Sequence, residues 1–205
     1  MLDDQMQEGY HLAEAGREAE ACDVWWPAWE VLRDRFSPEM RTVQQATSLL
    51  SGLQILGNWL QDFEMHLGNA ARHDRRFAEM GKRFCEEWLG QFTEDKGDEQ
   101  VAMRRALADF LSRLGRADEA IAVRRATVER WPREPWGYIA LSDACAHRFG
   151  SDSGVPLDLA QARLWLEQGV AAVPAADPSY GVFKERLAAL RAQERGQVRG
   201  RKKGS

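Results

Sequence analysis

Two short stretches decide how the rest of the sequence is interpreted: Gly16-Arg17-Glu18-Ala19-Glu20-Ala21 and Gly115-Arg116-Ala117-Asp118-Glu119-Ala120. They are near-copies that begin 99 residues apart, which is three times 33. A third, partial copy follows as Asp158-Leu159-Ala160-Gln161-Ala162. Self-similarity at a fixed period of roughly 20 to 50 residues indicates an array of repeated helical units. In the first two copies the glycine is placed to end one helix, and the acidic and alanine residues after it favour the start of the next.

These stretches resemble the tetratricopeptide repeat (TPR), a helix-turn-helix unit of about 34 residues. In that family the eighth, twentieth and twenty-seventh positions lie where two helices cross closely, so only small side chains fit. The matching residues here are Gly9, Ala21, Ala28, Ala108, Ala120, Thr127, Ser142, Ala162 and Gly169. All nine are small, although Gly, Ala, Ser and Thr make up only 58 of the 205 residues. The resemblance implies an all-α fold, an α-α superhelix or TPR-like solenoid of about nine antiparallel helices.

Residues 131–143, which begin Trp131-Pro132-Arg133-Glu134-Pro135-Trp136, look like the divergent TPR-like proteins of bacteria that sometimes carry a SEC-C motif. That motif is a short Cys-rich zinc module, and it is absent here, so functions that depend on it do not carry over. The chain also departs from the repeat pattern at Pro27, which should kink or split the second helix because proline removes a helical hydrogen bond.

Hydrophobic periodicity predicts helices throughout and no alternating β pattern of useful length. In the central helix the apolar residues Leu49, Leu53, Leu56, Leu60, Phe63, Leu67 and Ala70 recur at spacings of four and three. Ser37-Pro38, Asp177-Pro178 and Asp158 with Gln161 predict helix starts, and Gly16, Gly115 and Gly150 predict helix ends. The predicted helices cover roughly residues 3–15, 17–36, 39–69, 74–92, 99–114, 117–131, 135–148, 158–172 and 179–194.

We expect these helices to form a single TPR-like domain over residues 1–194, because one hairpin cannot bury its apolar stripe alone and must stack on its neighbours. The expected units are residues 1–37, 38–97, 98–134 and 135–174, followed by a capping helix over residues 179–194. Residues 38–95 match no consensus unit and are interpreted as one longer, degenerate helical hairpin. Residues 195–205 are Gly-rich and cationic, which predicts a basic disordered tail.

The net charge of -4 divides unevenly along the chain. Residues 191–205 contain six basic residues and one acidic residue, whereas residues 1–190 contain 22 basic and 31 acidic residues. An acidic body repels nucleic acid and anionic membranes, so only the tail can attract them. The three cysteines are far apart with no CxxC pair, and the N-terminus lacks the basic start of a secretory signal. We therefore expect a cytoplasmic protein.

Residues 42–61 form a stretch of twenty residues without a formal charge. Only nine of them are Val, Ala, Leu, Ile or Trp, whereas a spanning helix needs a predominantly apolar run of about 20 residues. The stretch therefore predicts a buried helix of a protein that does not cross the membrane. Cys22, Cys85 and Cys145 fall within predicted helices and are interpreted as buried structural thiols.

No motif for a protease, hydrolase, nucleotide-binding loop or calcium loop is present in the sequence. One polar set is notable, because its spacings of four, four, three and four place it on a single helix face: Asn58, Asp62, His66, Asn69 and His73. On a curved array this polar stripe can face a concave groove, where Asp62 orients His66 as a donor, metal ligand or base. Alternatively, it is an ordinary polar face that meets water or caps a neighbouring helix end.

Three functions remain open. The first is a non-enzymatic scaffold that binds a partner protein or peptide in its concave groove, as the TPR resemblance implies, through the polar stripe with Arg104 and Tyr138. The acidic body predicts a neutral or basic ligand. The second is a nucleic-acid-associated factor that uses the tail residues Arg195, Arg199, Arg201, Lys202 and Lys203. The third is a small-ligand or enzymatic site at Asp62 and His66. We assign no catalytic residue, metal or cofactor.

Overall fold

A computed structural model of the chain describes residues 2–50, 54–148 and 155–203, the last eight of them in their backbone alone. Within these ranges the regular structure is entirely helical. The ten α-helices are α1 (Leu2–Glu14), α2 (Glu18–Arg33), α3 (Val43–Ala46), α4 (Leu56–Ala70), α5 (Arg75–Gln91), α6 (Gly97–Arg113), α7 (Ala117–Arg130), α8 (Pro135–Cys145), α9 (Leu159–Ala172) and α10 (Tyr180–Lys203). The predicted all-α class is therefore confirmed.

By its internal contacts the chain divides into two compact units, whereas the sequence predicts one domain over residues 1–194. Unit 1 is Met1–Leu114 and contains α1 to α6; unit 2 is Gly115–Ser205 and contains α7 to α10. The division falls at Gly115, whose φ of 76° lies in the left-handed region that glycine adopts without strain. Gly16 ends α1 in the same conformation, with φ 72°. Gly150, the third predicted helix end, lies outside the described residues.

The predicted central helix over residues 39–69 is wrong in its first half. Thr42 caps the short helix α3 through a capping box with Gln45, a 3-10 turn follows over Thr47–Leu49, and α4 begins only at Leu56. The predicted start at Ser37-Pro38 is a turn instead. Thr, Ser and Gly are weak helix formers, and residues 47–52 contain four of them, which explains the break. In the described part of the chain, no helix is both long and apolar enough to cross a bilayer.

Two other helices differ from expectation. Helix α2 continues through Pro27 without splitting, and the buried side chains of Trp25, Ala28 and Trp29 on either side of the proline hold it in place. Helix α10 continues to Lys203, where the composition predicts disorder from residue 195. Its tail contains no proline, and five of the nine residues 195–203 are Arg or Lys, which have good helix propensity. Extension of an existing helix also needs no new nucleus.

The core of unit 1 is aromatic. Trp25, Trp29, Trp59 and Phe63 are fully buried, and their rings meet each other or neighbouring rings mostly edge to face. The helices α1 and α2 approach closely at Gly9, where an added Cβ would lie 2.0 Å from Nε1 of Trp25. That indole N–H donates to the Met6 carbonyl across 3.0 Å. All nine small residues that the repeat pattern singles out are buried.

The core of unit 2 forms between α8, α9 and α10 around Ile139, Leu166 and Phe183. Gly169 allows this packing, because an added Cβ would lie 2.4 Å from the Phe183 ring. Asp158 caps α9 by accepting a hydrogen bond from the Gln161 N–H across 2.9 Å, as predicted.

All three cysteines are buried free thiols, in agreement with the sequence interpretation. Burial raises the pKa of Cys22 to about 12 and the pKa of Cys85 well above its ordinary value. It also raises the pKa of Cys145.

Candidate functional site

The polar stripe of α4 is divided between solvent and neighbouring helices. Asn58 and His73 are exposed, whereas Asp62, His66 and Asn69 are partly buried. The opposite face of α4 is apolar and packs into the core of unit 1. The stripe therefore lies along the border between the core and the surface, and its three central members contact other parts of unit 1.

Asp62 bonds to helix α1. The hydroxyl of Tyr10 donates to Oδ2 of Asp62 across 2.7 Å. Burial and, after it, the hydrogen bond and charge of Asp62 raise the pKa of Tyr10, because all three disfavour the phenolate. The tyrosine ring also meets Trp25 edge to face, with 5.0 Å between the ring centroids. The pair joins the surface of α1 to that of α4.

His66 and Asn69 bond to helix α2. Nδ1 of His66 pairs with Oε2 of Glu18, and Nδ2 of Asn69 donates to Oε1 of the same carboxylate across 3.4 Å. Glu18 is the first residue of α2, where a negative charge is stabilised by the helix dipole. The His66 ring rests near Trp25, with 5.3 Å between ring centroids.

The predicted orientation of His66 by Asp62 is therefore wrong, because the carboxylate that pairs with His66 belongs to Glu18. Sequence spacing finds residues that share one helix, and it identified the stripe for that reason. It could not find Tyr10 or Glu18, which lie 52 and 48 residues from their partners on other helices. No pattern within α1 or α2 marks either residue as a partner of α4.

The other edge of α4 carries a carboxyl group that the sequence analysis missed. Burial raises the pKa of Glu64 to about 7, with Asp109 of α6 raising it further and Arg105 of α6 lowering it. Glu64 is two positions after Asp62, so it lies about 200° around the helix from the stripe. Helix α4 is thus bordered by α1 and α2 on one side and by α6 on the other.

Exposed side chains lie on the arc of α4 between these two edges. Asn58, Gln61 and Met65 are exposed there, and Met65 keeps 48% of its surface accessible. Ile55, immediately before the helix, is 60% exposed. We use the name α4 surface for this region. It consists of Ile55, Asn58, Gln61 and Met65, with the Tyr10–Asp62 pair on one edge and Glu64 on the other.

The remaining predicted contact residues lie elsewhere. Arg104 is partly buried in α6 of unit 1. Tyr138 is 5% exposed in α8 of unit 2, and its hydroxyl donates to the Pro132 carbonyl across 3.1 Å. The ring of Tyr138 is part of the unit 2 core, and its contact with a ligand stays a prediction.

Arg195 is exposed on α10, and the backbone of Arg199, Arg201, Lys202 and Lys203 continues that helix. The nucleic-acid role of these residues stays a prediction.

The α4 surface offers hydrogen-bonding groups, carboxylates and exposed apolar side chains. Within the described ranges, no group of three or more His, Cys, Asp or Glu side chains is placed to hold a metal ion. The charge of Glu64 acts on the thiol of Cys85, which is fully buried. No protein-family profile, curated protein or solved structure matches this chain.

Proposed function

We propose that the chain is a TPR-like helical scaffold and that the α4 surface of unit 1 binds a basic, partly apolar segment of a partner protein. Packing within the units supports the repeat interpretation: α1 packs on α2, α4 on α5, and α8 on α9. The burial of all nine small residues at the expected crossing positions supports it further. Proteins of this kind act by presenting a surface of side chains to a partner.

The observation that carries the proposal is a partly buried carboxyl group, that of Glu64, next to the exposed side chain of Met65 on α4. Its raised pKa, about 7, means that its surroundings disfavour the carboxylate form. A lysine or arginine from a partner would reverse this, because a cation close to the group stabilises the charged form. The binding of a cation at this edge of α4 is therefore coupled to the loss of a proton from Glu64.

The charge and polarity of unit 1 agree with such a ligand. Residues 1–114 contain 21 acidic and 13 basic residues, and complementary charge favours the approach of a basic segment. Met65, the residue after Glu64, supplies exposed apolar area, and Ile55 adds more at the start of α4. Methionine suits a recognition surface, because its unbranched side chain adapts to different partners.

The experiment compares two labelled peptides that share the same leucine positions, one rich in lysine and one rich in glutamate. Fluorescence anisotropy with the full chain should detect the basic peptide only. Glu64→Gln should weaken its binding about tenfold, which corresponds to about 1.4 kcal/mol. Glu79→Gln, which removes an exposed carboxylate of α5, is the matched control and should leave binding unchanged.

Calorimetry supplies a second test. At pH 7, binding of the basic peptide should release protons, so the measured heat should differ between buffers of low and high ionisation enthalpy. The difference should disappear in the Glu64→Gln variant. Equal binding of the acidic and basic peptides, or a heat that does not depend on the buffer, would contradict the proposal.

A further inference from the structure

Unit 2 contains a cavity that is separate from the α4 surface and from the function proposed for it. The cavity has a volume of about 280 Å³ and lies where the C-terminal end of α8 meets α10. Its polar lining consists mainly of Asp143, His147, Arg148, Arg186 and Gln193. The volume is close to the lower end of the range for small-molecule sites, roughly 300 to 1,000 Å³.

A largely buried ion pair lines the cavity. Asp143 is 8% exposed, and Nε of Arg186 lies 2.9 Å from Oδ1 and 3.2 Å from Oδ2 of its carboxylate. Nε of Arg148 lies 3.9 Å from Oδ1. Two guanidinium groups therefore share one carboxylate, and the cavity keeps an excess positive charge.

Hydrogen-bond donors remain available on both arginines. Of the guanidinium nitrogens of Arg186, only Nε has an acceptor among the described residues. The side chain of Arg148 has no acceptor within hydrogen-bonding distance in that part of the chain. A guanidinium carries five N–H donors in one plane, an arrangement that fits the paired oxygens of carboxylate and phosphate groups.

The backbone at the end of α8 places Arg148 at the cavity. The N–H of Arg148 donates to the Asp143 carbonyl across 3.0 Å, and the N–H of His147 donates to the Ala144 carbonyl across 3.3 Å. This is the hydrogen-bond pattern of a Schellman motif, in which glycine is the usual residue at the left-handed position. Here His147 holds that position with φ 50°.

The imidazole of His147 has a specific partner. Its Nε2 donates to the Val155 carbonyl, so Nε2 carries the proton and the ring is fixed against the cavity wall. A non-glycine residue in the left-handed region costs conformational energy, and such strain is found preferentially at binding and active sites.

We propose that this cavity binds a small molecule through an oxyanion group, a carboxylate or a phosphate, held by Arg148 and Arg186. Asp143 neutralises part of the positive charge and orients Arg186, so that its outer nitrogens can face the ligand. Charge-assisted bonds from arginine to such groups are about twice as strong as neutral hydrogen bonds.

Isothermal titration of the full chain with inorganic phosphate and with citrate tests the proposal. Saturable binding of at least one anion is expected, and Arg148→Ala should weaken it about tenfold or more. Arg148→Lys keeps the charge but loses the planar donor pair, so it should weaken binding by less. Arg191→Ala removes an exposed arginine of α10 that does not line the cavity, and it should leave affinity unchanged.

Arg148 is chosen because its side chain is 38% exposed, whereas loss of Arg186 would leave a buried carboxylate without its main partner. His147→Gly is a second variant; it keeps the left-handed backbone, removes the imidazole and should retain anion binding with the fold intact. The proposal is overturned if neither anion binds saturably up to about 10 mM. It is also overturned if Arg148→Ala and Arg191→Ala weaken binding equally, since that would indicate a general charge effect.

Discussion

The hydroxyl group of Tyr10 donates to the carboxylate of Asp62 across 2.7 Å, and this bond joins two helices that are 52 residues apart in the sequence. Both side chains are partly buried, so the bond replaces water at the border of the aromatic core. The same border contains the pair of His66 with Glu18. The polar stripe thus stabilises unit 1 as well as forming part of its surface.

Replacement of Tyr10 by phenylalanine should destabilise the protein by about 1 to 2 kcal/mol, because it leaves the Asp62 carboxylate without its donor. The measurement is a urea unfolding curve followed by tryptophan fluorescence, to which unit 1 contributes five of the eight tryptophans. Tyr180→Phe is the matched control, because the Tyr180 hydroxyl has no hydrogen-bond partner among the described residues. Equal losses in the two variants would show that the Asp62 bond contributes nothing.

A double-mutant cycle on Glu18→Gln and His66→Gln should give a coupling free energy of about 1 kcal/mol. The two side chains are 33% and 13% exposed, so water screens the pair only in part. Unfolding free energies of the two single variants, the double variant and the parent protein give the coupling. The same cycle on Glu18 and the exposed His73 should give a value close to zero, and a similar coupling in both cycles would refute the assigned pairing.

Replacement of Gly9 by alanine should destabilise unit 1 by about 1 to 3 kcal/mol, because the added methyl group would overlap the fully buried ring of Trp25. Gly68 lies within α4 with no atom within 4 Å of an added Cβ. Gly68→Ala should therefore stabilise the protein by about 0.5 to 1 kcal/mol through helix propensity. Thermal unfolding of both variants measures the difference. If Gly9→Ala leaves the free energy of unfolding unchanged, α1 and α2 can move apart without loss of stability, which would contradict the prediction.

Glu64 should make the stability of unit 1 depend on pH. Its pKa rises from 4.5 to about 7 on folding, so the folded protein holds the proton more tightly than the unfolded chain. The stabilising contribution is complete below about pH 4.5 and is lost as pH rises through about 7. Glu64→Gln should therefore be more stable than the parent at pH 8, by about 1 to 2 kcal/mol, since partial exposure to water reduces the effect.

Urea unfolding of both proteins at several values between pH 4.5 and 8 measures this difference. Other carboxyl groups titrate in the same range, including Asp95, whose pKa burial raises to about 6. They are present in both proteins, so their effects cancel when the two curves are subtracted. A constant difference across the pH range would mean that Glu64 does not titrate with folding.

Local sequence signals predicted most helices, because a helix end is determined by a few residues that are close together in the sequence. Gly16 and Gly115 end helices through their own backbone conformation, and Asp158 caps α9 with its own side chain. The helix break described at residues 47–50 and 54–55 was missed because the apolar spacing of Leu49, Leu56 and Leu60 continues across it. Periodicity records which side chains are apolar, and it does not register the weak helix propensity of the residues between them.

The candidate sites could be predicted only in part for a related reason. The stripe on α4 follows from spacing along one helix, but its partners Tyr10 and Glu18 come from other helices. The raised pKa of Glu64 depends on burial and on the charges of α6, which no residue count reveals. The unit 2 cavity depends on the left-handed backbone of His147, a conformation that the sequence would suggest only for glycine or asparagine.

The burial of Cys22, Cys85 and Cys145 has a practical consequence for labelling. A maleimide or disulfide reagent reacts with accessible thiolate, so the native protein should consume almost no reagent, and three equivalents should react in denaturant. A cysteine introduced at exposed Asn58 would then be the one fast-reacting thiol in the folded chain. A fluorophore attached there could report on occupancy of the α4 surface without removal of any native residue from the core.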